Sequence, residues 1–172
     1  MKINPKNLIN MINHSYKAHQ EFNAKNDFRQ DGKVPFVVHP LWCAMMIIND
    51  SGIPFKIKKI GYEALLLHDV LEDSSLGLPD DINPEVEELI KEMTHDTWEE
   101  EQDLSNKSDL VKLLKLYDKV ATLYDETIRS DIKRRKEWIA LIEMLLKDVE
   151  SLYPEARIVS ITKGLLKDTN WF

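Results

Sequence analysis

The stretch LLLHDVLEDS, residues 65–74, sets His68, Asp69, Glu72 and Asp73 into an otherwise apolar run. An imidazole and several carboxylates are side chains that ligate divalent metals and move protons near neutral pH. On a helix, residues three and four apart share a face, so His68 stands beside Glu72, Asp69 beside Asp73, and Glu72 beside Asp69 as well. One reading of such a group is an exposed last turn meeting water. Acids are, however, the wrong charge for a helix C-terminus, whose free carbonyls favour cations. A bound divalent ion would supply the missing positive charge.

Two other positions could complete a ligand set. In VPFVVHPLWCAMM, His39 lies where an extended apolar stretch passes into a helix, with Pro40 suited to the first helical turn. In LLKLYDKVATLYD, Asp118 interrupts the apolar face of Leu113, Leu114, Tyr117, Val120 and Ala121. A buried carboxylate needs a partner. Each position also has a plainer explanation: a histidine satisfied by the backbone, or an aspartate paired with Lys115 or Lys119. Taken together, the order H…HD…D, with about thirty and then about fifty residues between its parts, is far more specific.

Helices must hold these residues. Five glycines and no alternating Val/Ile/Thr-rich segment leave little room for a sheet, and the apolar periodicity is helical almost throughout. The pattern predicts helices over about residues 5–24, 39–50, 55–73, 84–97, 107–127, 132–150 and 154–166. There is no linker, internal repeat or low-complexity tract, so residues 1–172 read as a single compact all-α domain of six or seven helices. A chain of 172 residues, 43% hydrophobic and 31% charged, can bury a sizeable core. Its net charge of −7 argues against a broad nucleic-acid surface but leaves room for a small anionic ligand beside a metal. No apolar run approaches the ~20 residues of a membrane span, and MKINPKNLIN lacks a signal peptide's apolar stretch, so no membrane association and a cytoplasmic setting are expected. Cys43, the only cysteine, fits that setting as a small buried hydrophobe. The oligomeric state is left open.

With these motifs placed, the sequence resembles the HD-domain metal-dependent phosphohydrolases. Within them it is most similar to the guanosine tetraphosphate and pentaphosphate hydrolases, both the RelA/SpoT-type hydrolase domain and its small stand-alone homologues. The likeness covers about residues 16–150, through AHQEF, GKVPFVVHPLWCAMMI, ALLLHDVLEDS, VEELIKEMTHD and LLKLYDKVATLYD. The resemblance implies an HD domain that hydrolyses a small anionic nucleotide, releasing pyrophosphate from the 3′ position of guanosine 3′,5′-bis(diphosphate). The family's histidine, HD pair and distal aspartate fall on His39, His68, Asp69 and Asp118, the implied metal ligands. Its ED pair falls on Glu72 and Asp73, implied in activating water and moving its proton. The basic residue of its first loop matches Arg29 and the lysine before its distal aspartate matches Lys115, implied phosphate contacts. Two imidazoles and two carboxylates suit Mn²⁺ or Fe²⁺, with Zn²⁺ and Mg²⁺ as further options. Such an ion polarises a phosphate oxygen and lowers the pKa of a water, which Glu72 would orient or deprotonate.

The chain departs from the family pattern at two places. It is one residue longer between Gly32 and Pro35, which leaves the register of Arg29 open, and Thr122 stands where the family has a nucleotide-contacting asparagine. Threonine lacks the amide's reach and its paired donor and acceptor. Two alternatives therefore stay open: another HD nucleotide phosphohydrolase, such as a nucleoside monophosphate phosphatase, and a non-catalytic module that binds metal or nucleotide. Glu72 and Asp73 beside all four ligands argue for turnover. Structural roles are expected for His14 and His19, for His95 and Trp98 as helix-end cap and packing aromatic ahead of the option that they reach a substrate, and for EEEQD (residues 99–103) as a solvated loop. The basic run DIKRRKEW reads as a solvated face, with Arg134 or Arg135 as an option for a distal phosphate.

Overall fold

The computed structural model describes residues 4–21, 27–29, 32–124 and 132–167. Among these the named elements are all helices: α1 (Pro5–Glu21), α2 (Val38–Asn49), α3 (Phe55–Leu67), α4 (Val70–Asp73), α5 (Pro84–Met93), α6 (Trp98–Gln102), α7 (Asp109–Leu123), α8 (Ile132–Leu152) and α9 (Arg157–Lys167). The only strand-like pairing among the described residues is an isolated bridge between Phe28 and Pro35. Seven of these helices have ten residues or more, in line with the sequence periodicity, and α4 and α6 are short turns. No helix among the described residues is long and apolar enough to cross a membrane.

Local chemistry sets the helix starts. Asn83 caps α5, accepting from the Glu85 N–H at 2.9 Å with Pro84 in the first turn. Ser108 caps α7 through the Val111 N–H at 3.3 Å. The core lies where α2, α3 and α7 meet, with α1 and α5 against α3 and with α8 against α7. Helix α7 is buried nearly all round from Leu113 to Ala121, as befits the central helix of a bundle. Gly61 lets the bundle close: a Cβ there would stand 2.7 Å from Cδ1 of Ile47 on α2 and 3.1 Å from Cδ2 of Leu114 on α7.

One sequence expectation is corrected at the site itself. The helix expected to run unbroken from Phe55 to Asp73 breaks at His68 and Asp69, giving α3 and α4. The His68 ring explains the break. Its Nδ1–H donates to the carbonyl of Leu65 at 2.8 Å, the acceptor that an unbroken helix would give to the Asp69 N–H. The ladder resumes at once, with the Asp73 N–H on the Asp69 carbonyl at 2.9 Å. Helix α5 also ends earlier than the periodicity indicates, at Met93, because Thr94 turns extended (ψ 141°) and returns its hydroxyl to the Ile90 carbonyl. The expected ends of the first and fifth helices, near residues 24 and 127, lie outside the described residues.

At the other end of α2, Asp50 ties three elements together. Its carboxylate accepts from Tyr117 Oη at 2.7 Å, from the Gly52 N–H at 3.0 Å, and from the first N–H groups of α9, Arg157 at 2.8 Å and Ile158 at 3.0 Å. A negative charge at a helix N-terminus meets both unpaired donors and the positive end of the dipole. Burial and that hydrogen bond together push the Tyr117 hydroxyl's pKa upward.

Candidate metal centre

Three helices and one turn bring the H…HD…D residues together. His39 is the second residue of α2, His68 closes α3, Asp69 follows in the turn, and Asp118 sits midway along α7. His39, His68 and Asp118 are buried, and each offers a ligand atom within 4.8 Å of the others. Nε2 of His39 lies 3.1 Å from Oδ1 of Asp118 and 3.8 Å from Oδ2 of Asp69. Nε2 of His68 lies 3.2 Å from Oδ1 of Asp69 and 3.6 Å from Oδ1 of Asp118. Asp69 thus flanks both imidazoles without joining the tightest trio.

The hydrogen-bond inventory fits a cation. Because His68 Nδ1 must carry the proton donated to Leu65, the neutral ring presents its Nε2 lone pair to the cluster. That Nε2 is buried and hydrogen-bonds to neither carboxylate, and Oδ2 of Asp69 is likewise buried without a hydrogen bond. Such orphaned atoms cost stability in an apolar interior unless something positive joins them. The donor set, two imidazole nitrogens with carboxylate oxygens, suits a divalent metal of the Mn²⁺, Fe²⁺ or Zn²⁺ kind.

Electrostatics in the metal-free site point the same way. Burial pulls His39 down to about 4, against the resistance of Asp118. Burial also works against a charged His68, yet Asp69 and then Asp118 outweigh it and raise that ring to about 9. Asp69 is pushed upward, first by burial and then by Asp118, Asp73 and Glu72, with His68 opposing. Asp118 stays well below the carboxylate range because Lys119 and the two imidazoles overcome its burial. The carboxylates of this cluster thus favour positive charge among them, the character of a cation site.

Lys119 supplies the other half of Asp118's environment. Its ammonium lies 2.7 Å from Oδ2 of Asp118 and pairs with Oε1 of Glu101. The plainer sequence explanation of Asp118, a lysine partner, thus coexists with the imidazoles on the opposite oxygen. Glu101 is buried, which corrects the solvated-loop reading of EEEQD. Thr97, which starts α6 by accepting from the Glu100 N–H at 3.2 Å, is the sequence signal that marks this run as helical. Burial would raise Glu101, but Lys119 and His95 hold it down at about 2.

The remaining site residues divide between support and access. Oε1 of Glu72 accepts from the His95 N–H at 3.1 Å and lies 2.9 Å from His95 Nδ1. The His68 ring, by contrast, faces Asp69 and Asp118. Asp73, in the same short turn, adds negative charge felt by Asp69. Lys115 is buried on α7 and its pKa is lowered, chiefly by burial and next by Lys119. Arg29 lies 5.5 Å from the Phe36 ring centre, in a loop closed by the Arg29 N–H on the Val34 carbonyl at 2.7 Å, and its charge is felt at His39. Thr122 turns its hydroxyl to the Asp118 carbonyl at 3.1 Å, with Oδ1 of Asp118 at 3.5 Å.

The other sequence readings fall into place around this. His14 meets the Gly77 carbonyl at 2.8 Å and His19 is buried against Phe36. Trp98 packs edge-on against Trp138, with Arg134 stacked 3.7 Å from its ring centre. Arg135 is buried, so the basic run is only partly a solvated face. Cys43 is buried against the Tyr117 carbonyl and its thiol is pushed well up by burial, which leaves it unreactive.

No family model and no curated protein matches the sequence. Among solved structures, the chain is similar to a metazoan ortholog of SpoT that hydrolyzes ppGpp, over the full length of both chains, with a TM-score of 0.74 at 18% identity. At that identity the likeness is one of fold. The chain shares the all-α fold of that structure, the fold class that the helical periodicity predicts.

Proposed function

We propose that the chain is a divalent-metal-dependent phosphohydrolase of a small nucleotide, and within that class a guanosine 3′,5′-bis(diphosphate) 3′-pyrophosphohydrolase. The observation that carries the reading is the convergence of His39, His68 and Asp118, with His68 fixed in its ligating tautomer by Leu65. The fold shared with a SpoT ortholog that hydrolyzes ppGpp supports the substrate class. His39, His68, Asp69 and Asp118 would hold the ion, which when bound polarises a phosphate oxygen and makes hydroxide accessible near neutral pH. Mn²⁺ is the proposed ion. Glu72 takes the proton from the attacking water, held in position through His95, and Asp73 assists. Arg29 and Lys115 neutralise phosphate charge, and Thr122 makes a nucleotide contact weaker than an asparagine would.

One observation favours a neighbouring activity. The Thr122 hydroxyl is engaged by the Asp118 carbonyl, so the contact that an asparagine would make to a guanosine nucleotide is weakened. Another HD phosphohydrolase, such as a nucleoside monophosphate phosphatase, keeps the same metal centre and differs there. The test is a Mn²⁺ substrate panel of guanosine tetraphosphate, nucleoside monophosphates, dNTPs and 3′-phosphorylated cofactors. Pyrophosphate released from guanosine tetraphosphate supports the proposal; turnover confined to another phosphate ester moves the assignment to the alternative. Glu72→Gln should keep metal and fold while kcat falls by about 10²–10⁴-fold. A wild-type rate in that variant would remove Glu72 as the base.

A further inference from the structure

His95, half-buried in the segment between α5 and α6, stands in a group of charges drawn from α4, α6 and α7. Both ring nitrogens of His95 face carboxylates: Nδ1 lies 2.9 Å from Oε1 of Glu72 on α4, and Nε2 lies 3.2 Å from Oε2 of Glu101 on α6. A neutral imidazole donates through one nitrogen only, so engaging both carboxylates requires the doubly protonated ring. The His95 N–H adds a second donor to the same Glu72 oxygen, at 3.1 Å. Glu101 in turn pairs with Lys119 on α7, which pairs with Asp118. The signs alternate from Glu72 through His95, Glu101 and Lys119 to Asp118. Trp138 seals the inner end, its ring centre 4.8 Å from the Lys119 ammonium.

We propose that His95 is a positioning residue for Glu72: its ring and its backbone N–H fix one carboxylate oxygen, and Glu101 and Lys119 anchor that clamp to the helix carrying Asp118. The arrangement couples the base to the helix carrying Asp118 through paired charges. With Oε1 held by two donors, Oε2 is the oxygen left to meet a water, and the carboxylate loses the rotational freedom that would otherwise spread it over unproductive orientations. Burial opposes a charged His95, but Glu101 and Glu72 outweigh it and raise the ring to about 9, so the clamp is closed at neutral pH. The other charges near this group are Lys115 and Lys119 of α7 and Asp69 of the α3–α4 turn. The inference rests on the proposed hydrolase reading, in which Glu72 is the acid–base group.

The test compares His95→Ala, His95→Gln and Glu101→Gln in the full chain loaded with Mn²⁺, on the best substrate of the wild type. Metal stoichiometry and KM should stay near wild type, while kcat falls about 10–100-fold in His95→Ala, the usual cost of removing a supporting contact, and recovers in part in His95→Gln. In a Glu72→Gln background the His95 substitutions should cost almost nothing more, because nothing remains to be positioned. Independently of activity, ¹⁵N NMR of the metal-free protein at pH 7.5 should show both His95 ring nitrogens protonated. Wild-type kcat in His95→Gln, full additivity with Glu72→Gln, or a neutral ring at that pH would each overturn the inference. A wild-type protein that turns over no phosphate ester instead sinks the hydrolase reading, and the inference with it.

Discussion

Asp50, bonded by Tyr117 of α7, and Asp118, the next residue of that helix, are both buried carboxylates, yet they stand in opposite conditions. Asp50 receives four neutral donors, from Tyr117, Gly52, Arg157 and Ile158, and its two oxygens are fully used. Asp118 shares its surroundings with a second carboxylate and with an imidazole whose ligating nitrogen has no hydrogen bond. A carboxylate surrounded by N–H and O–H groups fixes the fold, since every lone pair lost from water is replaced. An oxygen that faces a second carboxylate and an imidazole lone pair, as Oδ1 of Asp118 does while Lys119 holds Oδ2, leaves room for a further cation. The difference separates a structural hub from a binding site on physical grounds, although both are equally hidden from solvent.

The largest effect expected at the metal end is loss of the ion. His68→Ala or Asp118→Ala should abolish stoichiometric Mn²⁺ and all measurable turnover, and their Tm should no longer rise when Mn²⁺ is added. Metal analysis with full occupancy in both variants would erase the distinction between the two carboxylates. At the structural end, Asp50→Ala should leave metal content intact and cost about 2–4 kcal/mol of stability, from two uncapped helix donors and an unpaired phenol. Urea melts showing a loss below about 1 kcal/mol would mean that water replaces the hub.

A subtler comparison uses pH on the metal-free protein. His95 is raised from its ordinary 6.5 to about 9, so its stabilisation is complete below about pH 6.5 and is lost as pH rises through 9. Glu101 is lowered from 4.5 to about 2, so its contribution is complete above about pH 4.5 and is lost as pH falls through 2. Stability measured by denaturant should therefore decline between pH 6.5 and 9, a limb that His68, also raised to about 9, shares, and His95→Gln should make it shallower. An unchanged alkaline limb in the variant would show that His95 is not the group titrating. The smallest effect belongs to Thr122→Asn. Under the guanosine tetraphosphate reading it should improve kcat/KM by a few-fold, through a hydrogen bond kept in the transition state. No change, with the wild type active on that substrate, would place nucleotide recognition elsewhere.

The sequence by itself determined the helical periodicity, and with it all seven of the longer helices, because amphipathic spacing and turn residues are local signals. It also determined the set His39, His68, Asp69 and Asp118 as residues of the right chemistry at telling separations; three of them meet within ligand reach. Tertiary structure decided what those signals could not carry. The break after α3 depends on a side chain competing for one carbonyl, and Glu72 finds its partner in His95, distant in sequence. Nothing in EEEQD distinguishes Glu101 from its neighbours; it is buried because α6 lays that one position against Lys119. The Asp50 hub likewise exists only once α9 returns to the end of α2. Periodicity reports which face of a helix is apolar, whereas the partner of a buried charge is set by residues distant in sequence, through packing that no local pattern encodes.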